Sequence, residues 1–148
     1  MMVDVTIRRA ARDDAALLDT LEQQCALTPR SINTLADELA SERYAYFLAE
    51  NAEATVGYLG VGILAGEAHI MTVGVIPTLR RQHVARALVT HALHWCDTQG
   101  VADVTLEVGA RNTAARALYA SSGFKAEGVR PGYYADKDDA VIMWKRGS

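Results

Sequence analysis

The sequence predicts a mixed α/β fold, in which a mostly antiparallel sheet carries helices on both faces. The spacing of apolar residues alternates between a period of two, typical of strands, and a period of three to four, typical of helices. The element order from these changes is βααβββαβαββ. The chain has 148 residues, of which 50% are hydrophobic. We therefore expect one domain over residues 1–148 with a sizeable core.

The first half begins with a strand and two helices and continues with three strands. Ser31 is a plausible N-cap of the second helix. The three strands are separated by short polar or glycine-containing breaks, as in an antiparallel meander. The predicted strands are 3–9, 43–50, 55–64 and 68–76, and the predicted helices are 13–25 and 31–39.

The second half contains two further helices. An apolar residue recurs every four positions from Val84 to Cys96, and Gly100 suits the C-terminal cap. A strand at 101–108 follows. Asn112 then opens the last helix, which closes around Gly123. This alternation predicts that helices connect the last strands of the sheet.

Composition excludes several classes of protein. The net charge of −3 argues against a nucleic-acid binder and leaves room for a basic peptide partner. We see no apolar stretch of signal-peptide or membrane-span length, so we expect a cytoplasmic protein without a membrane partner. Cys25 and Cys96 both lie in helical apolar patterns. They indicate buried free thiols rather than a disulfide framework.

The segment 73–87 joins a β-branched strand to a basic helix through Pro77. A helix start has N–H groups without intrahelical partners and the positive end of the helix dipole, which together favour phosphate. Arg80, Arg81 and Arg86 cluster around this start. By itself the pattern fits equally a cradle for a pyrophosphate-bearing cofactor and an ordinary solvated basic face.

Three stretches of the C-terminal half carry a family resemblance. They are residues 75–82, the run LEVGARNTAARALYASSGF at 106–124, and the tail that contains Tyr133, Tyr134, Asp139 and Met143. Here the chain resembles the GNAT superfamily of acetyl-CoA-dependent N-acetyltransferases, and in particular the RimI-type enzymes that acetylate the N-terminal amine of a ribosomal protein. The resemblance implies the GNAT fold, acetyl-CoA as cosubstrate, no metal, and a protein N-terminus as acceptor.

The resemblance also implies a set of cofactor-binding residues. The backbone at Val73 and Val75 is expected to pair with the pantetheine arm, and Asn112 and Tyr119 are expected to contact it. The pyrophosphate would lie on a loop that comprises Arg80, Arg81, Gln82, His83, Val84, Ala85 and Arg86. His83 replaces the glycine of the family pattern, which is costly at positive φ and harmless in a right-handed first turn. We expect a tolerated substitution.

Glu107 and Tyr119 are the expected catalytic residues. An α-amine with a pKa near ~8 must lose a proton before it attacks a thioester, and a carboxylate can take it. Glu107 points away from its apolar neighbours on the strand, at the position of the family's glutamate. Tyr119 matches the family's tyrosine, which protonates the leaving thiolate. The alternative is that Glu107 is an exposed strand carboxylate and Tyr119 a core aromatic residue, neither with a catalytic role.

The acceptor is the least determined part of the prediction. In the resembling enzymes the counterparts of Tyr133 and Tyr134 edge the peptide entrance, and the acidic residues beside them (Asp136, Asp138 and Asp139) would suit a basic peptide. A plain surface hairpin is the alternative. His69 reads as a lone strand histidine, and a metal site at His91, His94 and Cys96 is improbable because no fourth ligand is apparent. A small-amine or lysine acetyltransferase and a non-catalytic acyl-CoA binder remain open.

Overall fold

The computed structural model describes residues 5–26, 29–80 and 83–147. The predicted element order is confirmed, with short 3-10 turns before the first and third helices. The strands are β1 (Thr6–Arg9), β2 (Tyr44–Glu50), β3 (Thr55–Leu64), β4 (Glu67–Val75), β5 (Val104–Gly109), β6 (Lys125–Arg130) and β7 (Ala140–Lys145). The helices are α1 (Ala15–Cys25), α2 (Ile32–Leu39), α3 (Val84–Thr98) and α4 (Thr113–Ser121).

The seven strands form one sheet in the order β1-β2-β3-β4-β5-β7-β6. Among the strands of the described residues, only the β4–β5 pair is parallel, and α3 supplies the crossover that a parallel pair requires. The meander of β2, β3 and β4 is antiparallel, as predicted. This mixed, mostly antiparallel sheet with helices on both faces confirms the predicted fold class.

The helices divide the core into two layers. On one face, α1 and α2 bury Leu18, Leu21 and Leu35 against the first strands. On the other face, α3 and α4 pack on a larger cluster that includes the inward residues of β5. The end of α1 lies directly against β4, since a Cβ atom added to Gly74 would be only 2.7 Å from the Cβ of Cys25. This close approach requires glycine at position 74.

Some strand boundaries and the burial of one cysteine differ from the sequence predictions. The predicted start of β1 at residue 3 lies outside the described residues, and β5 begins at Val104 because the strand pairing with β4 and β7 begins there. Cys96 is buried as predicted, but Cys25 is only partly buried. Cys25 is the last residue of α1. The helix end therefore leaves this thiol partly accessible.

A β-bulge determines where β4 and β5 separate. The last β4–β5 pair is Ile70 with Leu106. The next residue, Met71, has no partner on β3, because Gly60 pairs with Thr72 and Val61 pairs with Ile70. A bulge bends its strand. Beyond Leu106, β5 pairs with β7 alone, so the two parallel strands diverge and leave a split in the middle of the sheet.

Candidate active site

The split leaves the backbone of β4 unpaired on one side. The N–H of Ile76 donates to the Val56 carbonyl on β3 at 2.9 Å. Because N–H and C=O groups alternate in direction along an antiparallel strand, Gly74 also faces β3, whereas Val73 and Val75 face the split. The sequence therefore identified the two residues whose backbone groups point into the split.

The start of α3 opens toward the same end of β4. The Ala87 N–H bonds the His83 carbonyl at 3.1 Å, so the N–H groups of Val84, Ala85 and Arg86 have no intrahelical acceptor. The N-cap residue, His83, makes no side-chain capping bond. An anion is the natural partner for these groups.

The backbone at His83 contradicts one sequence expectation. Its φ is 65° and its ψ is 13°, which is the left-handed region that favours glycine. Position 83 therefore lacks the right-handed conformation in which a side chain would be harmless. Its imidazole stands at a position where a Cβ atom costs free energy.

The three arginines at this helix start have different positions. Arg80 turns back and donates from Nε to the Val75 carbonyl at 3.1 Å, which satisfies one of the backbone groups in the split. Arg86 is exposed on the first turn of α3. Arg81, like Gln82, lies outside the described residues. Among the described residues, Arg80 and Arg86 bring positive charge to the predicted phosphate cradle.

Asn112 begins α4 on the other side of the split. Its side-chain oxygen accepts a hydrogen bond from the Ala115 N–H at 3.2 Å, which is the predicted N-cap interaction. The cap fixes the first turn of the helix that carries Tyr119. Contact of Asn112 with a cofactor remains a prediction.

Glu107 projects from β5 to the face opposite its apolar neighbours. Leu106 and Val108 are buried in the core, whereas Glu107 is partly exposed on the α1–α2 side. Its Oε1 atom lies 3.5 Å from Nε2 of His69 on β4. The sequence alone gave His69 no partner. Strand pairing brings His69 and Glu107 together, because His69 lies opposite Thr105, two residues before Glu107.

Tyr133 and Tyr134 lie in the connection between β6 and β7 and approach Glu107. Their rings pack edge to face with centroids 5.1 Å apart. The neighbouring Glu107 side chain raises the pKa of Tyr133, and burial followed by the Glu107 charge raises the pKa of Tyr134 to about 12. The structure thus brings both tyrosines to the expected catalytic carboxylate.

Tyr119 approaches from the opposite face of the sheet. Its side chain is 8% exposed, and its ring packs edge to face against Phe124 with centroids 6.1 Å apart. Burial and then the nearby Tyr134 raise the pKa of Tyr119 to about 12, so the phenol is protonated at neutral pH. Tyr134 is therefore near enough to interact electrostatically with both Tyr119 and Glu107.

The acidic residues of the β6–β7 connection have structural partners. Asp138 is buried and accepts a hydrogen bond from the Arg111 N–H at 3.1 Å. Asp136 accepts from the Asp138 N–H at 3.0 Å, and Asp139 accepts from the Gly132 N–H at 2.9 Å. These carboxylates fold the loop that carries the tyrosines. That they also suit a basic peptide stays a prediction.

A buried carboxylate in α1 was missed by sequence reasoning. Glu22 is fully buried and accepts hydrogen bonds from the Tyr58 hydroxyl, from Thr72 Oγ1 at 2.9 Å and from the Arg30 N–H at 3.0 Å. The signal was its place four residues after Leu18 on the apolar stripe of the helix. Glu22 thereby attaches the connection between α1 and α2 to β4, beside the split.

Among residues 5–26, 29–80 and 83–147, no three His, Cys, Asp or Glu side chains are grouped as metal ligands would be. Within the same ranges, every helix is too short or too polar to cross a bilayer.

Comparison with known proteins decides the family. The model of the acetyltransferase (GNAT) family matches residues 15–124, which include β4, the start of α3, β5 and α4. The chain belongs to the GNAT family of acetyltransferases. This membership confirms the predicted enzyme class, an acetyl-CoA-dependent N-acetyltransferase.

Relatives of this GNAT chain include enzymes that modify a ribosomal protein. It is 35% identical over 126 residues to the ribosomal protein bS18-alanine N-acetyltransferase of Escherichia coli K12, covering 83% of this chain and 84% of that one. A putative enzyme of the same name from Bacillus subtilis is 28% identical over 97% of both chains. The crystal structure of the E. coli ribosomal-protein-S18-alanine N-acetyltransferase matches with a TM-score of 0.87 and 32% identity, covering 98% of this chain and 95% of that one.

Proposed function

We propose that this acetyltransferase modifies the N-terminal α-amine of a protein, with alanine at the N-terminus of ribosomal protein bS18 as its acceptor. One observation carries the proposal: Glu107 faces the α1–α2 side of the sheet and has Tyr133 of the β6–β7 connection beside it. The similarity to bS18-alanine N-acetyltransferases supports the choice of acceptor. The predicted cytoplasmic location belongs to this proposal, since ribosomal proteins are made there.

The split and the start of α3 suit acetyl-CoA. The backbone groups of Val73 and the N–H of Val75 fit an extended, amide-bearing arm that adds to the free side of β4, while the Val75 carbonyl accepts from Arg80. The free N–H groups of Val84, Ala85 and Arg86 fit the pyrophosphate, with positive charge from Arg80. When bound, acetyl-CoA supplies the reactive thioester, and a backbone N–H of the split polarises its carbonyl.

Glu107 removes the proton that blocks attack by the amine. A carboxylate attracts the α-ammonium group of the acceptor and accepts its proton, because it is negatively charged and partly desolvated on this face. Tyr133, whose side chain is half exposed, and Tyr134 border this position. The free amine then attacks directly, and no covalent enzyme intermediate is required.

Tyr119 serves the leaving thiolate. Its phenol is protonated at neutral pH, with a pKa raised to about 12. A thiol ordinarily has a pKa near ~8.5, so the phenol donates a hydrogen bond as negative charge develops on sulfur and completes proton transfer only when solvent restores its proton. The hydroxyl thereby stabilises the departure of CoA.

The proposal is tested with three acceptors and two variants. A peptide with the N-terminal sequence of bS18 is compared with an N-terminally blocked, lysine-containing peptide and with spermidine, and mass spectrometry locates the acetyl group. We expect α-amine acetylation of the first peptide. Glu107→Gln should lower its rate by about 10²-fold at pH 7, with partial recovery at higher pH as free amine accumulates, and Tyr119→Phe should lower kcat with little change in acetyl-CoA affinity.

Several results would contradict the proposal. Acetylation confined to lysine, or faster turnover of spermidine, would contradict the choice of acceptor. Binding of acetyl-CoA without turnover of any amine would indicate an acyl-CoA binder. Rates within twofold of the wild type in both variants would contradict the catalytic roles of Glu107 and Tyr119.

A further inference from the structure

His69 lies outside the three stretches that carry the sequence resemblance, yet it contacts the proposed catalytic carboxylate. Its Nε2 atom is 3.5 Å from Oε1 of Glu107, and the two side chains project from the parallel pair β4 and β5 to the same face. The His69 side chain is 47% exposed, whereas that of Glu107 is 19% exposed. The imidazole is therefore more accessible to solvent than the carboxylate that it contacts.

The surroundings of the ring keep it neutral at pH 7. Burial of its inner part lowers the pKa of His69, and the positive charges of Arg30 and Arg130 lower it further. Glu107 is the group that raises it. Arg30 comes from the connection between α1 and α2 and Arg130 from β6. A neutral imidazole has a free nitrogen lone pair and can accept a proton.

The reaction produces a proton that must leave the site. An α-ammonium group loses one proton before it attacks and the second N–H proton when the amide has formed. The departing CoA thiolate takes up one proton, so one remains for each turnover. A neutral imidazole that contacts the carboxylate and is partly exposed can accept this proton and release it to solvent.

We propose that His69 is the terminal proton acceptor of this active site, in which Glu107 passes the amine proton from its Oε1 atom to Nε2 of His69. The neutral ring carries its hydrogen on Nδ1 during this step, and the resulting imidazolium releases a proton to solvent from its exposed side. This inference rests on the proposed function, because it assigns Glu107 the first proton transfer.

Kinetic measurements test the proposed proton transfer from Glu107 to His69. His69→Gln and His69→Ala should lower kcat by about tenfold at pH 7 without changing the KM for acetyl-CoA. Added imidazole should restore much of the rate of His69→Ala. The wild-type kcat should fall as pH drops below about 6.5, where imidazoles become protonated, and His69→Gln should lose this dependence. His91→Gln is the matched control, since His91 is exposed on α3 and bonds the Ala87 carbonyl of its own helix.

A titration that needs no acceptor tests the pair itself. Carbon-13 and proton NMR of the His69 ring should show a lower pKa in Glu107→Gln than in the wild type, because the negative charge that favours the imidazolium is removed. An unchanged pKa would overturn the inference, whatever the acceptor. Rates of the His69 variants within twofold of the wild type, with the acid dependence retained, would also overturn it. If the wild-type enzyme prefers spermidine, the proposed function is contradicted but the inference about His69 is not. The His69 variants are then compared with the wild type with spermidine as the acceptor.

Discussion

The left-handed backbone at His83 makes His83→Gly a stabilising change. This residue has a φ of 65° and is exposed, and its side chain makes no capping hydrogen bond to α3. Truncation to glycine therefore removes a Cβ atom from an unfavourable backbone region and loses little packing. The affected loop is the proposed pyrophosphate cradle, so stability and cofactor binding can be examined in the same variant.

The expected gain follows from two opposing terms. An L-residue in the left-handed region costs roughly 1–2 kcal/mol. The change to glycine offsets about 0.5–1 kcal/mol of this stabilisation, because glycine has more conformational freedom in the unfolded chain. The net stabilisation is about 0.5–1 kcal/mol. For 148 residues the unfolding entropy corresponds to about 3 °C per kcal/mol, so Tm should rise by about 2–3 °C.

Thermal and urea unfolding of three variants separate the backbone from the imidazole. His83→Ala keeps the Cβ atom and removes the ring, so its stability should equal that of the wild type. Ala65→Gly is a matched control, since Ala65 also has a positive φ of 54° and lies in the exposed β3–β4 turn. It should gain similar stability. Its acetyl-CoA affinity, measured by calorimetry, should not change.

Two results would refute this account. If His83→Gly is no more stable than His83→Ala, the backbone at this position is not strained. If Ala65→Gly is stabilised and His83→Gly is destabilised, the imidazole makes a stabilising contact outside its own backbone. Calorimetry then assigns the ring its part in binding: a loss of acetyl-CoA affinity shared by both His83 variants shows that it helps to hold phosphate.

Three further predictions concern stability and are checked by urea unfolding. Glu22→Gln should cost about 3 kcal/mol, because Arg30 and Tyr58 lose a buried, charged acceptor, and an unchanged stability would contradict the role of this network. Asn112→Ala should cost about 1 kcal/mol through loss of the α4 cap, and a change below 0.3 kcal/mol, roughly the measurement error, would contradict it. The folded pKa of His69 is lower than its unfolded value, so the unfolded chain binds more protons below about pH 6.5 and the wild type loses stability as pH falls. His69→Gln should show a smaller loss between pH 7 and 5.5, and an equal loss would contradict the direction of the shift.

Much of the fold and of the candidate site followed from local pattern. Periods of two and near four gave the element order, because each strand or helix buries one face and exposes the other. The same alternation placed the side chain of Glu107 on the face opposite Leu106. Ser31 and Asn112 were recognised as caps because a short polar side chain at a helix start bonds a nearby N–H, which is a local interaction.

Long-range pairing decided what local pattern could not. His69 and Glu107 are 38 positions apart, and only the register of β4 with β5 brings them together. Glu22 bonds Tyr58 and Thr72 because α1 packs on this part of the sheet. Backbone conformation at His83 was likewise open, because the sequence left both a positive φ and a right-handed first turn possible.

The sequence by itself thus determined the fold class, the family and the residue types available for the chemistry, since these depend on periodicity and on motifs of neighbouring residues. The tertiary structure decided which groups meet. The bulge at Met71 opens the split after the last β4–β5 pair, and the folded β6–β7 connection carries Tyr133 and Tyr134 to Glu107. The physical reason is that strand register and helix packing minimise the free energy of the whole core, and no short segment contains that information.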